Sequence, residues 1–247
     1  MAHPSSSPAF ELSVVIPCLN EVETLPGCLE RARRALASHG LKGEIIVADN
    51  GSTDGSPDDA ARLGATVVHV SWEGYGNAVA AGVARARGEY VVVGDADGSY
   101  DFLEIPRFVA KLREGFDLVQ GTRLPRGGGR ISPGAMPFLH RRLGNPMFSW
   151  LAQRLFDTTV SDIHCGLKGF TRALYQSLDL RCPGFEFNCE VLLEATRRRS
   201  RIAELPITLH RDGRRAHPPH LHTFRDGWRH LWFFLDYRLR RWNAGVT

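Results

Sequence analysis

Asp95 and Asp97 stand two residues apart in Gly94-Asp95-Ala96-Asp97-Gly98-Ser99-Tyr100-Asp101, directly after Glu89-Tyr90-Val91-Val92-Val93. Two close carboxylates repel unless a cation lies between them, and hard oxygen ligands suit magnesium or manganese, which bridge to substrate phosphates. The short β-branched run before them is that of a buried strand. The pair therefore falls at a strand's carboxyl end, the edge where open α/β sheets bind ligands. Alternate residues leaving a strand point to opposite faces, so same-side carboxylates need a turn, which Gly98 permits. An isolated D-x-D is ordinarily a pair of solvated turn aspartates, so the surrounding elements decide.

Two more acidic groups end predicted strands. Leu12–Pro17 leads to Asn20-Glu21, and Glu44–Ala48 leads to Asp49. A carboxylate at either place can accept hydrogen bonds from a base N–H or from ribose hydroxyls. Gly74-Tyr75-Gly76-Asn77-Ala78 supplies permissive backbone at a helix N-terminus, which favours anions. It contains G-x-G, but a dinucleotide fingerprint requires the first βα turn of the fold and an acid about 20 residues on, and neither condition is cleanly met. An NAD-dependent oxidoreductase is accordingly a distant alternative.

The elements that must position these groups alternate. Asn20 is the expected N-cap, with Glu23 three residues on, of a helix carrying Leu25, Leu29, Ala32 and Leu36 to a stop at Gly40. Ser56-Pro57-Asp58-Asp59 opens a short helix closed by Gly64; Ala65–Val70 is a strand and Asn77–Arg87 a helix. After the aspartate pair come a helix over Leu103–Arg113 and a strand at Phe116–Gln120. This alternation predicts a mostly parallel sheet covered by helices on both faces. Beyond Gly121, Arg126–Pro137 is a Gly/Pro-rich loop and Phe138–Phe156 is helical with a break near Gly144-Asn145-Pro146. Thr158–Gly169 is a polar loop, Glu186–Arg199 a helix, and Ile202–Thr208 a strand whose Pro206 indicates a sheet edge. Asp212–His222 is a loop and Thr223–Trp242 a final helix.

At 247 residues, 43% hydrophobic and 23% charged, the chain is an ordinary soluble globular protein in composition. Its net charge of +4 does not argue for nucleic acid, but arginines gather in the second half, at Arg141-Arg142, Arg197–Arg199, Arg214-Arg215 and Arg238–Arg241. Clustered arginines imply phosphate or anionic lipid partners, although Arg197–Arg199 is equally a solvated helix face. The five cysteines form no C-x-x-C pair and fit a reducing compartment, hence a cytoplasmic setting. Met1–Pro8 reads as a loose tail without a signal peptide's apolar core, and no window is long enough for a membrane span.

Four blocks together resemble the family-two glycosyltransferases: Val15–Glu21, Ala48–Gly55, Gly94–Asp97 and Gly121-Thr122-Arg123. Asp162–Phe170, Gly184–Glu190, Glu204–Ile207 and Asp212-Gly213-Arg214 narrow the likeness to the polyprenol-phosphate (dolichol-phosphate) mannosyl- and glucosyltransferases, over roughly residues 11–235. The resemblance implies a GT-A fold, a UDP- or GDP-hexose donor, a magnesium or manganese ion and inversion at the anomeric carbon. It implies that Pro17, Asn20, Glu21, Ser52, Gly76 and Ala96 line the donor pocket and that Asp49 reads the base. Asp95 would face the ribose and the metal, and Asp97 would hold the metal on the diphosphate. Arg123, one of Arg141 and Arg142, and one of Arg214 and Arg215 would reach phosphate. Ser99 stands where many such relatives place glutamine, so a water can fill in at the metal. Many relatives continue into membrane-spanning helices whereas this sequence stops at Thr247, which keeps a soluble acceptor open beside a polyprenyl phosphate.

The expected organisation is a tail at 1–10, a catalytic domain at 11–222 and an aromatic, basic helix at 223–247. That helix, with Trp228, Trp232, Phe234 and Trp242 among arginines, either lies in the headgroup region at the inner face of the membrane or packs on protein, including a second copy. Glu186 and Glu190 share a helix face and either touch sugar or acceptor or pair with arginines. His217, His220 and His222 lack metal-ligand spacing around Pro218-Pro219, and nothing near Cys165 marks it as a thiol nucleophile. A non-catalytic nucleotide-sugar-binding module is the alternative of another class; it predicts donor binding without turnover.

Overall fold

The computed structural model describes residues 10–215 and 223–242. The tail and the histidine loop at 217–222 lie outside the described residues.

Seven strands form the central sheet in the order β3-β2-β1-β4-β7-β5-β8. They are β1 (Phe10–Cys18), β2 (Gly43–Asp49), β3 (Thr66–His69), β4 (Gly88–Val93), β5 (Leu118–Thr122), β7 (Lys168–Thr171) and β8 (Ile202–Pro206). A short ribbon pairs β6 (Arg130–Ile131) with β9 (Thr208–Leu209). All central pairings are parallel except those of β7, which runs antiparallel between β4 and β5. The helices are α1 (Leu25–Ser38), α2 (Ser56–Arg62), α3 (Tyr75–Arg85), α4 (Ile105–Arg113), α5 (Asn145–Phe156), α6 (Arg172–Ser177), α7 (Phe187–Arg197) and α8 (Thr223–Tyr237).

Both sheet faces are covered, as expected, and the period-two alternation of the strands assigns the residues. Leu12, Val14 and Ile16 face the layer of α1 and α4, where Leu25, Leu29, Phe108 and Leu112 are buried. Val15, Ile46, Val91 and Val93 face the opposite layer with Val79 of α3, Val191 of α7, Phe156 of α5 and Phe234 of α8. Pro206 ends the edge strand β8, where its missing N–H costs no ladder hydrogen bond.

Five local expectations need correction or refinement. Asn20 does not cap α1: it adopts a left-handed backbone (φ 56°), and Thr24 holds the N-cap position. The Asn20 carboxamide instead accepts from Thr53 N–H at 2.8 Å, tying this loop to the one after β2. Ser56 lies inside α2, after Gly55 in the left-handed region (φ 91°), and its hydroxyl accepts from Glu21 N–H at 2.9 Å. β5 runs to Thr122, so Arg123 follows it immediately. The loop at Thr158–Gly169 ends in β7, four residues too short and too glycine-interrupted for a strand pattern to show. The break near Gly144 is a π-helical turn over His140–Gly144 that passes straight into α5.

Candidate active site

β2, β1 and β4 are neighbours in the sheet, and their carboxyl ends carry Asp49, Asn20-Glu21 and Asp95-x-Asp97. Two of these acids, Glu21 and Asp97, are met by Arg214, which returns from late in the chain. Its guanidinium meets Glu21 at 3.1 Å, Asp212 at 2.5 Å and Asp97 at 3.9 Å, and its side chain is 7% exposed. The segment is docked by backbone as well: Gly213 N–H donates to Asp97 O at 2.9 Å and His210 N–H to Ser99 O at 2.9 Å. Distant stretches are thus brought to one place at the carboxyl ends of β1 and β4.

Within it, Asp97 Oδ1 accepts from Ser99 N–H at 2.9 Å, which makes the turn that Gly98 (φ 76°) completes. Asp95 Oδ1 accepts from the Tyr75 hydroxyl at 3.1 Å, and Tyr75 stacks on Phe185 at 4.9 Å. Gly166 leaves room for the other oxygen, since a Cβ there would stand 2.6 Å from Asp95 Oδ2. Burial, and then the charge of Asp97, push the Asp95 carboxyl up to about 7. Burial does the same to Glu21, also to about 7, against the pull of Arg214. Asp95 resists ionising beside Asp97, and the pair offers oxygen donors only, which fits a hard divalent cation. Ser99 contributes its backbone N–H to the turn, and its carbonyl accepts from His210.

Asp49 is 3% exposed; its Oδ1 accepts from Ser52 N–H at 3.1 Å and its Oδ2 meets His69 Nδ1 at 3.3 Å. Ser52 Oγ accepts from Asn20 N–H at 2.9 Å, so these two loops form one braced unit above β1 and β2. Pro17 is buried in β1 opposite Ala48, and Ala96 is buried with its carbonyl accepting from the Cys28 thiol at 3.4 Å.

Several expected site residues do other work. Gly76 is packed against the 182–183 backbone: its N–H donates to Pro183 O at 2.8 Å, and a Cβ would stand 2.2 Å from Cys182 O. That N–H is therefore not offered to an anion. Gly76→Ala forces backbone apart and is expected to cost about 1–3 kcal/mol of stability, read as a lowered melting temperature. Glu190 is 2% exposed and accepts from the backbone N–H of Arg181 and Cys182 (2.9 and 2.8 Å), which holds that same segment rather than an acceptor. Glu186 pairs with Arg229 of α8 at 2.8 Å, the structural alternative of the two. Arg123 does not reach toward phosphate; its guanidinium and backbone N–H are bound to Asp162 at 2.7, 2.8 and 2.9 Å. Arg142 lies exposed on the 140–144 turn over the Phe138 ring, with Arg141 exposed beside it. Arg215 is exposed, with its N–H donating to Glu23 at 2.6 Å. Cys165 is fully buried and burial pushes its thiol up to about 12, which excludes it as a nucleophile at neutral pH.

The site residues that escaped sequence reading are Tyr75, Asp162, Gly166, Lys168 and Asp212. Tyr75 sits inside a glycine motif read for its backbone alone. Lys168 is 1% exposed, donates to Asn188 O at 3.1 Å, and is pulled down to about 8 by burial. Each stands within a block quoted for other residues, and only the antiparallel insertion of β7 brings Gly166 and Lys168 beside β4.

A pH dependence follows for the metal-free protein. Carboxyls raised from about 4 to about 7 on folding hold protons that the unfolded chain releases, so their contribution is full below about pH 4 and lost as pH rises through about 7. Burial holds His164 well below its usual range, which drifts the opposite way. The readout is therefore the difference between wild type and Asp95→Asn: the wild type should lose stability relative to the variant between about pH 4 and about pH 7 in a chelator, by urea midpoint. Parallel pH curves would remove Asp95 from this role.

Residues 13–178 match the family described as Glycosyl transferase family 2. The low-salt glycan biosynthesis hexosyltransferase Agl6 of Haloferax volcanii is 40% identical over 91% of this chain, which spans 53% of that longer relative. The dolichyl-phosphate hexose transferase of the same organism is 31% identical over 80% of this chain and 82% of its own. Among solved structures, glucosyl-3-phosphoglycerate synthase from Mycobacterium tuberculosis with Mn2+, uridine diphosphate and phosphoglyceric acid superposes with TM-score 0.68 at 26% identity, covering 94% of this chain and 79% of that one.

Proposed function

Since the chain belongs to glycosyl transferase family 2 and is a glycosyltransferase that uses a nucleotide sugar, we propose that it moves a hexose from a nucleoside diphosphate donor to a polyprenyl phosphate, with inversion. The observation that carries the reading is Arg214 set among Glu21, Asp97 and Asp212 at the carboxyl ends of β1 and β4, with Asp49 at the carboxyl end of the neighbouring β2. Asp49 and the loop through Asn20 and Ser52 would receive the nucleoside. Asp95 and Asp97 would hold magnesium or manganese, whose chemistry is to neutralise the diphosphate as it leaves. The hexose is then presented to the acceptor phosphate, whose oxygen attacks the anomeric carbon as the bond to the diphosphate breaks. That oxygen is already anionic, so the chain needs no general base; it needs alignment and a dry wall. Tyr75 and Gly166 fix Asp95, while the 210–214 segment fixes Asp97.

Residues 11–222 form the catalytic unit in this reading, with 223–247 as an appended segment that carries α8. Toward the protein, α8 buries Phe234 (0% exposed) and Tyr237 (3%); outward it shows Trp228 (69%), Trp232 (65%) and Leu235 (48%), followed by Leu239 (71%) in the next turn. Aromatic residues beside Arg229, Arg238 and Arg240 suit the headgroup region where a polyprenyl phosphate is met. Among the described residues, no helix is long and apolar enough to cross a membrane.

A second reading keeps the donor chemistry and takes a soluble phosphorylated acceptor. It is favoured by the fold's likeness to a synthase crystallised with phosphoglyceric acid. One assay separates them: UDP- and GDP-hexoses are supplied with magnesium or manganese and with either acceptor. Labelled hexose passing into organic solvent supports the polyprenyl phosphate. Label found only in a water-soluble phosphorylated product would replace it with the second reading.

A further inference from the structure

Away from the acidic strand ends, a second group of ligating side chains meets where α7, α8 and the loop before β7 come together. His164, Cys189 and His230 each direct one donor atom inward, and the three atoms lie within 4.8 Å of one another. Cys189 and His230 are 1% and 7% exposed. His164 Nδ1 is buried and makes no hydrogen bond, which is uncommon for a polar atom away from water. The two imidazoles meet edge to face at 4.7 Å, and Phe148 closes the side at 5.5 Å from His164 and 6.0 Å from His230. The Cys189 thiol has the Ile163 carbonyl at 3.8 Å, a long contact for a weak donor.

We propose that His164, Cys189 and His230 form a zinc site distinct from the donor site. Two imidazole nitrogens and one sulfur suit zinc; no carboxylate belongs to the group, so magnesium has no hard ligand there. Tetrahedral zinc with nitrogen at about 2.0 Å and sulfur at about 2.3 Å sets donor atoms roughly 3.3–3.6 Å apart. From a spread of at most 4.8 Å, the cluster reaches that by closing up to about 1.2–1.5 Å. On binding, the Cys189 thiol releases its proton to water and the thiolate bonds to the metal, while both histidines bind as neutral rings. Three protein ligands leave a fourth position for water.

The consequence is mechanical. His230 belongs to α8 and Cys189 to α7, so the ion clamps the terminal helix onto the catalytic fold. His164 lies between Asp162, the partner of Arg123, and Gly166, which borders Asp95. Zinc would thereby fix one wall of the donor site without touching the donor.

The test uses the full chain, stripped with a chelator and then given zinc alone, in excess magnesium to occupy the carboxylates. The expected result is one zinc retained per chain and a raised melting temperature. Cobalt in place of zinc should give thiolate-to-metal absorption. Cys189→Ala and His230→Ala should each lose retention, whereas Asp97→Ala should keep it, which separates this site from the donor site. Circular dichroism checks folding; should Cys189→Ala not fold, the cobalt spectrum of His164→Gln decides, with loss of the stoichiometric signal supporting the site. Folded wild type that retains no zinc, or a sulfur-to-cobalt band that survives removal of Cys189, overturns the proposal.

Discussion

Asp97→Ala is expected to lower turnover by about 10²-fold or more while the fold stays intact, by the scale of removing one preorganised electrostatic group. Both halves of that expectation come from the contacts. Asp97 Oδ2 stands 3.9 Å from Arg214, beyond hydrogen-bond distance, and the aspartate side chain is 20% exposed. Arg214 keeps Glu21 and Asp212 when Asp97 is removed, so no buried cation is orphaned. What disappears is one of two hard ligands for the ion on the diphosphate. The loss should therefore appear in kcat at saturating donor, and in a weaker dependence on magnesium or manganese, with melting temperature nearly unchanged. Asp97→Asn is the closer control, because an amide oxygen can still accept from Ser99 N–H and preserve the turn. Metal-dependent transfer at wild-type rate in Asp97→Ala would move the ion elsewhere and dissolve the reading built on this pair.

The contrast with Arg214 shows what spacing along the chain can and cannot reveal. Asp95 and Asp97 were legible because their geometry is local: a strand of β-branched residues, a glycine turn and two acids within a few positions. Asp49 and Asn20-Glu21 were legible for the same reason. The parallel pairing of β2, β1 and β4 is what alternating strands and helices predict, and their order in the sheet brings the three carboxyl ends side by side. Arg214 was placed near phosphate through resemblance alone. Its partner Glu21 is 193 positions away, and no periodicity encodes such a contact.

β7 is the clearest omission and explains most of the misassignments. Four residues with an internal glycine carry no alternation, so Lys168 and Gly169 were read as the end of the loop that begins at Thr158. Inserted antiparallel between β4 and β5, it delivers Gly166 to Asp95 and sets Lys168 in register with Val93. It also carries the preceding loop, and with it Asp162, across the exit of β5. An arginine that follows a strand end points to phosphate only if no carboxylate lies nearer, and here one does. Glu190 and Gly76 fail for a related reason: both serve the 181–183 segment, whose position depends on packing between α3 and α7.

Arg123→Met is the substitution that separates these views, and it is expected to cost about 3–5 kcal/mol of folding stability. The Arg123 side chain is 10% exposed and Asp162 is not exposed at all, so removing the guanidinium leaves a carboxylate with no access to water. Asp162 is further anchored through its N–H to Glu204 at 3.2 Å, so it cannot swing out without disturbing the edge strand. Against a total of about 5–15 kcal/mol for a domain, such a loss is a large part of the whole, and the urea midpoint should fall accordingly. The double variant Arg123→Met with Asp162→Leu should recover much of it, since the uncompensated charge goes with its partner. An arginine that instead left Asp162 to grip phosphate would give the reverse pattern. Stability would barely change in Arg123→Met, the double variant would be no better than the single one, and the defect would lie in the Michaelis constant for donor or acceptor.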